Sequence, residues 1–312
     1  MEHIRWLAEP TLKNPVVVAA FTGWNDAGDA ASTALRTLVE SSSATALAEI
    51  DPDPYTDFAT VRPHVRLTAQ GQREIVWPTV GVWSASLPGT DVILVLGPEP
   101  ALRWRSFCQQ ITGLAGHVGA PMAITLGALL ADVPHSRPVH LIGTATDSAL
   151  MERFELERSH YEGPTGIVGV LQAAFTHADI PAASLWAAVP GYAAQLPSPK
   201  AAMALVERAC SMMGTPAPLS VLADQSVEYD ARIASLVADD DDLSPYVSRL
   251  ESMLDEPDLD SFDIDSGDDA VDDLVAESTG LDADQSGVDF DVSDPSELVQ
   301  EVEQFLRDRD EG

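Results

Sequence analysis

Apolar and polar positions along this chain follow more than one period. Val16-Val17-Val18-Ala19-Ala20-Phe21 is a short, continuously apolar run, the pattern of a strand covered on both faces in a parallel sheet. Turn residues follow in Thr22-Gly23-Trp24-Asn25-Asp26-Ala27-Gly28. Asp29 is then placed to cap a helix over 30–40, where Ala31, Ala34, Leu35 and Leu38 recur at helical spacing. The unit repeats. Strands are predicted over 91–97, 122–126, 139–143 and 185–189, alternating with helices over 103–117, 148–154, 166–177 and 199–213. Such alternation implies parallel strands joined by right-handed crossovers, hence an α/β fold built as a three-layer α/β/α sandwich.

Two regions depart from that pattern. Over 62–86, Val65, Leu67, Ile75, Trp77, Val80 and Val82 alternate with polar neighbours, which predicts antiparallel strands or a hairpin excursion at the sheet edge. Beyond Pro218 the spacing of Leu219, Leu222, Ile233, Leu236 and Val237 is helical, and a second helix near 245–254 would complete a helical hairpin packed on the sandwich. The expected organisation is an α/β/α domain over 1–218 and a helical extension over 219–254. An acidic linker over 255–295 and an amphipathic tail helix over 296–309 follow.

Charge sharpens the division. Residues 1–220 hold 20 acids and 13 bases, whereas residues 221–312 hold 30 acids and 4 bases, within a total net charge of -33. Sixteen acids and no base fall within 255–296, a composition unable to bury enough apolar area to offset its ordering entropy, so disorder is expected there. Such an acidic chain argues against nucleic acid and anionic membranes as partners, because both are held through lysine and arginine. No apolar stretch approaches the roughly 20 residues of a spanning helix, and no secretory signal is visible, so a cytoplasmic protein is expected. The two cysteines, Cys108 and Cys210, lie far apart in apolar helical stretches and read as core thiols of a reducing compartment.

A search for chemistry finds no phosphate loop, dinucleotide fingerprint, nucleophile elbow or zinc spacing. No metal and no cofactor is expected. With only Lys13 and Lys200, schemes needing several lysines on phosphates are weakened. Three loops lie where open α/β sheets bind ligands, at strand carboxyl ends. In the first, Asp26 is the candidate acid or base and Trp24 and Asn25 could orient a ligand, although Asn and Asp beside glycines are equally turn and cap residues. The second is Gly97-Pro98-Glu99-Pro100 with Arg103 and Arg105, where Glu99 could bind a ligand or form surface ion pairs. The third contains Gly163, Thr165 and Gly166 ahead of a helix, whose amides could hold an anion or be capped by Thr165. Lys200 opens another helix, where its charge opposes the macrodipole, which hints at use.

Taken in order, Phe21 through Gly28, Gly97-Pro98-Glu99-Pro100 with Arg103-Trp104-Arg105, and Gly127 through Pro134 resemble the PAC2 (proteasome assembly chaperone 2) family in its actinobacterial branch. Tyr161 through Gly166, Ser184-Leu185-Trp186-Ala187, Pro197-Ser198-Pro199-Lys200 and the closing Tyr246 through Glu251 extend the resemblance over roughly residues 1–254. It implies a phosphorylase/hydrolase-like α/β/α fold and a role in binding proteasome α subunits during assembly. Family chaperones dock through a C-terminal hydrophobic-Tyr motif, whereas Asp310-Glu311-Gly312 closes this sequence and its last tyrosine is Tyr246, so another surface would be needed. Some bacterial relatives are also labelled as ATP-grasp ligases, which the two-lysine count and missing phosphate loops oppose.

The leading reading is a non-enzymatic assembly chaperone or scaffold that binds proteasome subunits or another protein. It is expected to form a homo-oligomer, a trimer being one stoichiometry left open. The alternative is a metabolite-binding protein or a ligase- or hydrolase-like enzyme using the three loops. A third reading gives the acidic tail the functional role, as an adaptor that folds on binding or as a solubilising arm.

Overall fold

Val16, Val18 and Ala20 pack into one apolar core while Val17, Ala19 and Phe21 pack into a second on the opposite face of the sheet. A continuously apolar run therefore folds as a strand with no solvent face. The computed structural model describes residues 1–255. Its strands are β1 (Ile4–Trp6), β2 (Val16–Thr22), β3 (Thr45–Ile50), β4 (His64–Leu67), β5 (Arg73–Val76), β6 (Val80–Leu87), β7 (Thr90–Pro98), β8 (Ala123–Ala131), β9 (Leu141–Ala145) and β10 (Ala182–Pro190). The helices are α1 (Ala30–Ser41), α2 (Trp104–His117), α3 (Ser148–Phe154), α4 (Ile167–His177), α5 (Pro199–Met213), α6 (Ser220–Ala238) and α7 (Leu243–Asp255).

Eight strands form one mixed sheet in the order β1-β3-β6-β7-β2-β8-β10-β9. Residues of α1 and α5 fill the core on one face, and residues of α2 and α4 fill the core on the other. The fold is the three-layer α/β/α sandwich. Strand direction needs correction, however, because only β7, β2, β8 and β10 are mutually parallel. Strand β9 runs antiparallel to β10; the segment between them carries two helices, α3 and α4, instead of a single crossover helix. On the other side, β6 runs antiparallel to β7 across the Pro88-Gly89 turn, in which Gly89 adopts φ +88°.

The 62–86 region is likewise more than an edge excursion. Strand β6 lies inside the sheet between β3 and β7, while β4 and β5 form a separate two-stranded sheet. Strands β1 and β3, which pair antiparallel at the sheet edge, carry no clear periodicity; the Ala-rich β3 reads equally as helix. Helix α5 follows its sequence closely: Ser198 Oγ accepts from the Ala201 N–H, Pro199 stands in the first turn, and Gly214 closes the helix at φ +70°.

Helices α6 and α7 pack against each other, and α6 packs against α5. Leu222 enters the α1/α5 core, while Tyr229 and Ile233 form a small cluster with Ala193. Tyr246 on α7 donates a 2.7 Å hydrogen bond to Asp132, and Ser136 meets Glu251. No helix among the described residues is long and apolar enough to cross a membrane. Apart from Asp255, which closes α7, the linker expected over 255–295 and the tail helix expected over 296–309 lie outside the described residues.

Candidate functional site

Strand β2 ends at Thr22, and Gly23 turns the chain at φ +119°, a region that favours glycine. Trp24 projects outward, 63% exposed, whereas Asn25 and Asp26 turn inward and are 1% and 6% exposed. A bridge between Asp26 and Ala128 prolongs the β2–β8 pairing, and the Ala128 N–H donates to the Asn25 carbonyl at 2.8 Å. Pairing to β8 thus fixes both side chains.

Asp26 Oδ1 accepts the Ser32 N–H at 3.0 Å, which places its carboxyl on the first turn of α1. The capping role expected of Asp29 belongs to Asp26: Asp29 sits at φ +51° and makes no side-chain cap bond. Oδ2 of Asp26 is buried without a hydrogen-bond partner. Burial pushes the Asp26 carboxyl above the usual carboxylate range, outweighing the opposing hydrogen bonds from Ser32.

Glu99 ties the other two loops to this one. Its Oε1 accepts from Asn25 Nδ2 at 2.7 Å and from the Ile167 N–H at 2.8 Å, so one oxygen serves β2's loop and the first turn of α4. The Glu99 N–H in turn donates to the Thr22 carbonyl at 2.9 Å. Helix α4 has Gly166 at its N-cap with no side-chain cap, and the carboxylate from the end of β7 satisfies that terminus in its place. Thr165, one of the two alternatives for this terminus, is exposed. A side chain at position 166 would collide with Asn25, since an added Cβ would lie 2.2 Å from Oδ1.

Asn25, Glu99 and Gly166 are therefore brought into direct contact, with Asp26 beside them. The remaining candidates have other placements. Gly97 faces β6, where an added Cβ would meet Val80 Cα at 2.6 Å. Gly163 and Thr165 lie on the exposed approach to α4, where Tyr161 donates to the Pro164 carbonyl at 2.9 Å. Lys200 makes its contacts with a different set, donating to the His135 carbonyl and to Asp230 at 3.0 and 3.2 Å.

Of that second set, sequence reasoning singled out only Lys200 as a candidate site residue. Tyr192 hydroxyl lies 2.7 Å from the His135 N–H and 2.9 Å from its Nδ1, with Tyr246 packed edge-on against the Tyr192 ring. These residues come from five segments with no motif linking them; the misplaced charge of Lys200 was the only signal.

Chemically, the first cluster is a carboxamide and two carboxyls knitted into backbone hydrogen bonds, with its potential acid withdrawn from solvent and Trp24 and Tyr161 left outside. Among the described residues no three His, Cys, Asp or Glu side chains converge as a metal site. The family model for the PAC2 family matches residues 20–237. This chain belongs to the PAC2 family. It is similar to the solved PAC2 family protein from Streptomyces avermitilis, with 44% identity, a TM-score of 0.71, and coverage of 75% of this chain and 99% of that one. A Mycobacterium tuberculosis proteasome-assembly chaperone homologue is 42% identical, with a TM-score of 0.68 over 74% of this chain and 99% of its own. An archaeal homologue of proteasome-assembly chaperone from Pyrococcus furiosus shares the fold at 14% identity and a TM-score of 0.54, covering 80% of this chain and 99% of that one. No curated protein matches the chain. The PAC2 fold thus accounts for the sandwich and its converging loops.

Proposed function

We propose that this PAC2 chain is a non-enzymatic cytoplasmic protein that self-associates and binds other proteins as an assembly chaperone or scaffold. One observation carries the reading: β4 and β5 form a hairpin in which every strand residue is exposed. Val65 pairs with Ile75, and Leu67 lies two residues along the same strand, so these three share a face that Trp77 continues. Leu67 is 66% exposed there. The opposite face carries the Arg66–Glu74 ion pair at 2.8 Å. An isolated two-stranded hairpin is marginal in water, and a contiguous exposed apolar face is the usual mark of a protein interface.

The name of the tuberculosis relative makes proteasome subunits the first partner class to test. Two buried free cysteines suit a reducing compartment. Native mass spectrometry of the chain, gently purified from its own cytosol, is the experiment, run beside a Leu67→Lys, Ile75→Lys variant. We expect the native chain to appear as an oligomer or with a stoichiometric protein partner, and the variant to lose one or both. Identical subunit number and partners in both samples would remove the hairpin from the argument; a monomer carrying no protein would remove the reading itself.

A further inference from the structure

Leu67 stands opposite Arg73 across β4 and β5, as Val65 stands opposite Ile75, so the exposed apolar face of the hairpin carries a guanidinium beside its turn. The local charge runs against that of the chain. Residues 62–73 hold three arginines and no acid, in a sequence of 50 acids and 17 bases. On the opposite face Arg66 has Glu74 as its partner, whereas the cross-strand neighbour of Arg73 is a leucine. A surface that fits the apolar face therefore needs an apolar ridge bordered by carboxylates.

Helix α6 presents such a ridge. Its inner side is taken by Leu222, Ser226, Tyr229 and Ile233, which are buried. On its outer side Ala223, Val227, Ala231, Ala234 and Ala238 recur at helical spacing and are all exposed, Val227 by 71%. Asp224 and Glu228, one helical turn apart and both exposed, border this stripe. Within one chain α6 packs on α5 and α7, which leave the stripe uncovered, and every strand residue of the hairpin is exposed as well. Each chain thus offers two uncovered apolar surfaces with opposite charges at their margins. A two-stranded hairpin gains stability by packing on a helix, and a stripe of mostly alanine lets a strand pair approach closely.

We propose that the β4–β5 face of one copy docks on the outer stripe of α6 in a second copy, with Arg73 set against Asp224 and Glu228. The inference rests on the self-association proposed above and names the two surfaces that carry it. Because those surfaces differ, the contact is heterologous, and its repetition about an axis closes a ring.

Sedimentation equilibrium of the full chain tests the contact. The native chain is expected to be an oligomer. Arg73→Glu, and separately Asp224→Lys with Glu228→Lys, should each raise the dissociation constant about tenfold or more, the scale of a broken interfacial charge pair. Combined in one chain, the three substitutions reverse both margins and should bring the constant back to within about threefold of native. Glu152→Lys with Glu207→Lys, exposed acids on α3 and α5 that change the net charge equally, should not weaken association. Every substituted residue is exposed, and circular dichroism checks that each variant is folded. A native chain that sediments as a monomer overturns the inference together with self-association. An oligomer that either reversal leaves intact, that the combined chain fails to restore, or that the control pair weakens equally overturns this inference alone and leaves self-association to other surfaces.

Discussion

Gly166 and Asn25 are in mutual contact: a Cβ on Gly166 would lie 2.2 Å from Asn25 Oδ1 and 2.3 Å from Nδ2. Gly166 itself has φ -92°, so any residue could adopt its backbone, and the need for glycine is purely one of space. The Asn25 carboxamide cannot retreat easily, being 1% exposed and held by Glu99.

Gly166→Ala should therefore destabilise the fold by about 1–3 kcal/mol, the usual cost of overpacking. Urea unfolding reads the loss directly. Introduced into an Asn25→Ala background, the same substitution should cost much less, because the atoms it strikes are gone. Equal costs in the two backgrounds would mean that the contact is not what makes position 166 intolerant.

Asp26 gives a pH signature. Its folded carboxyl titrates above its unfolded value, so the stability tied to its protonated form is complete below the ordinary carboxylate value of about 4 and is lost as pH rises through the raised folded value. Asp26→Asn keeps an oxygen for the Ser32 N–H and cannot ionise. Relative to the native chain, the variant should gain stability between about pH 3 and pH 7, a comparison in which the other acids cancel. Thermal unfolding across that range measures the difference; a gap that does not change with pH would contradict the assignment.

Cys108 and Cys210 should be inert while the chain is folded. Both are 1% exposed, and burial pushes their thiols up to about 12 and about 11, leaving little thiolate at neutral pH. A thiol reagent should label neither in the native protein and both in denaturant. Rapid labelling without denaturant would place at least one thiol at an accessible surface.

The relation of sequence to structure differs between the elements and the site. Helix α5 was legible to its ends, because Ser198, Pro199 and Gly214 act on their own backbone neighbours. Strand β2 was legible from its unbroken apolar run, which has one stable solution, burial on both faces. The three-layer class follows from such local signals in series. Strand direction did not, since whether β6 and β9 run with or against their neighbours depends on where the chain returns, and both faces of a strand bury the same residues either way.

The site divides along the same line. The sequence marked Asn25, Asp26, Glu99 and Gly166 by residue type alone. It could not say that Glu99 reaches 74 positions back to Asn25 and 68 forward to Ile167 on one oxygen. Lys200 stood out by its misplaced charge, but its partner Asp230, carried on α6, had no mark at all. Backbone propensity and burial period act over a few residues and are written in the local order of the chain. Convergence of loop ends is set by the packing of whole layers, and only the tertiary structure decides which of the marked residues meet.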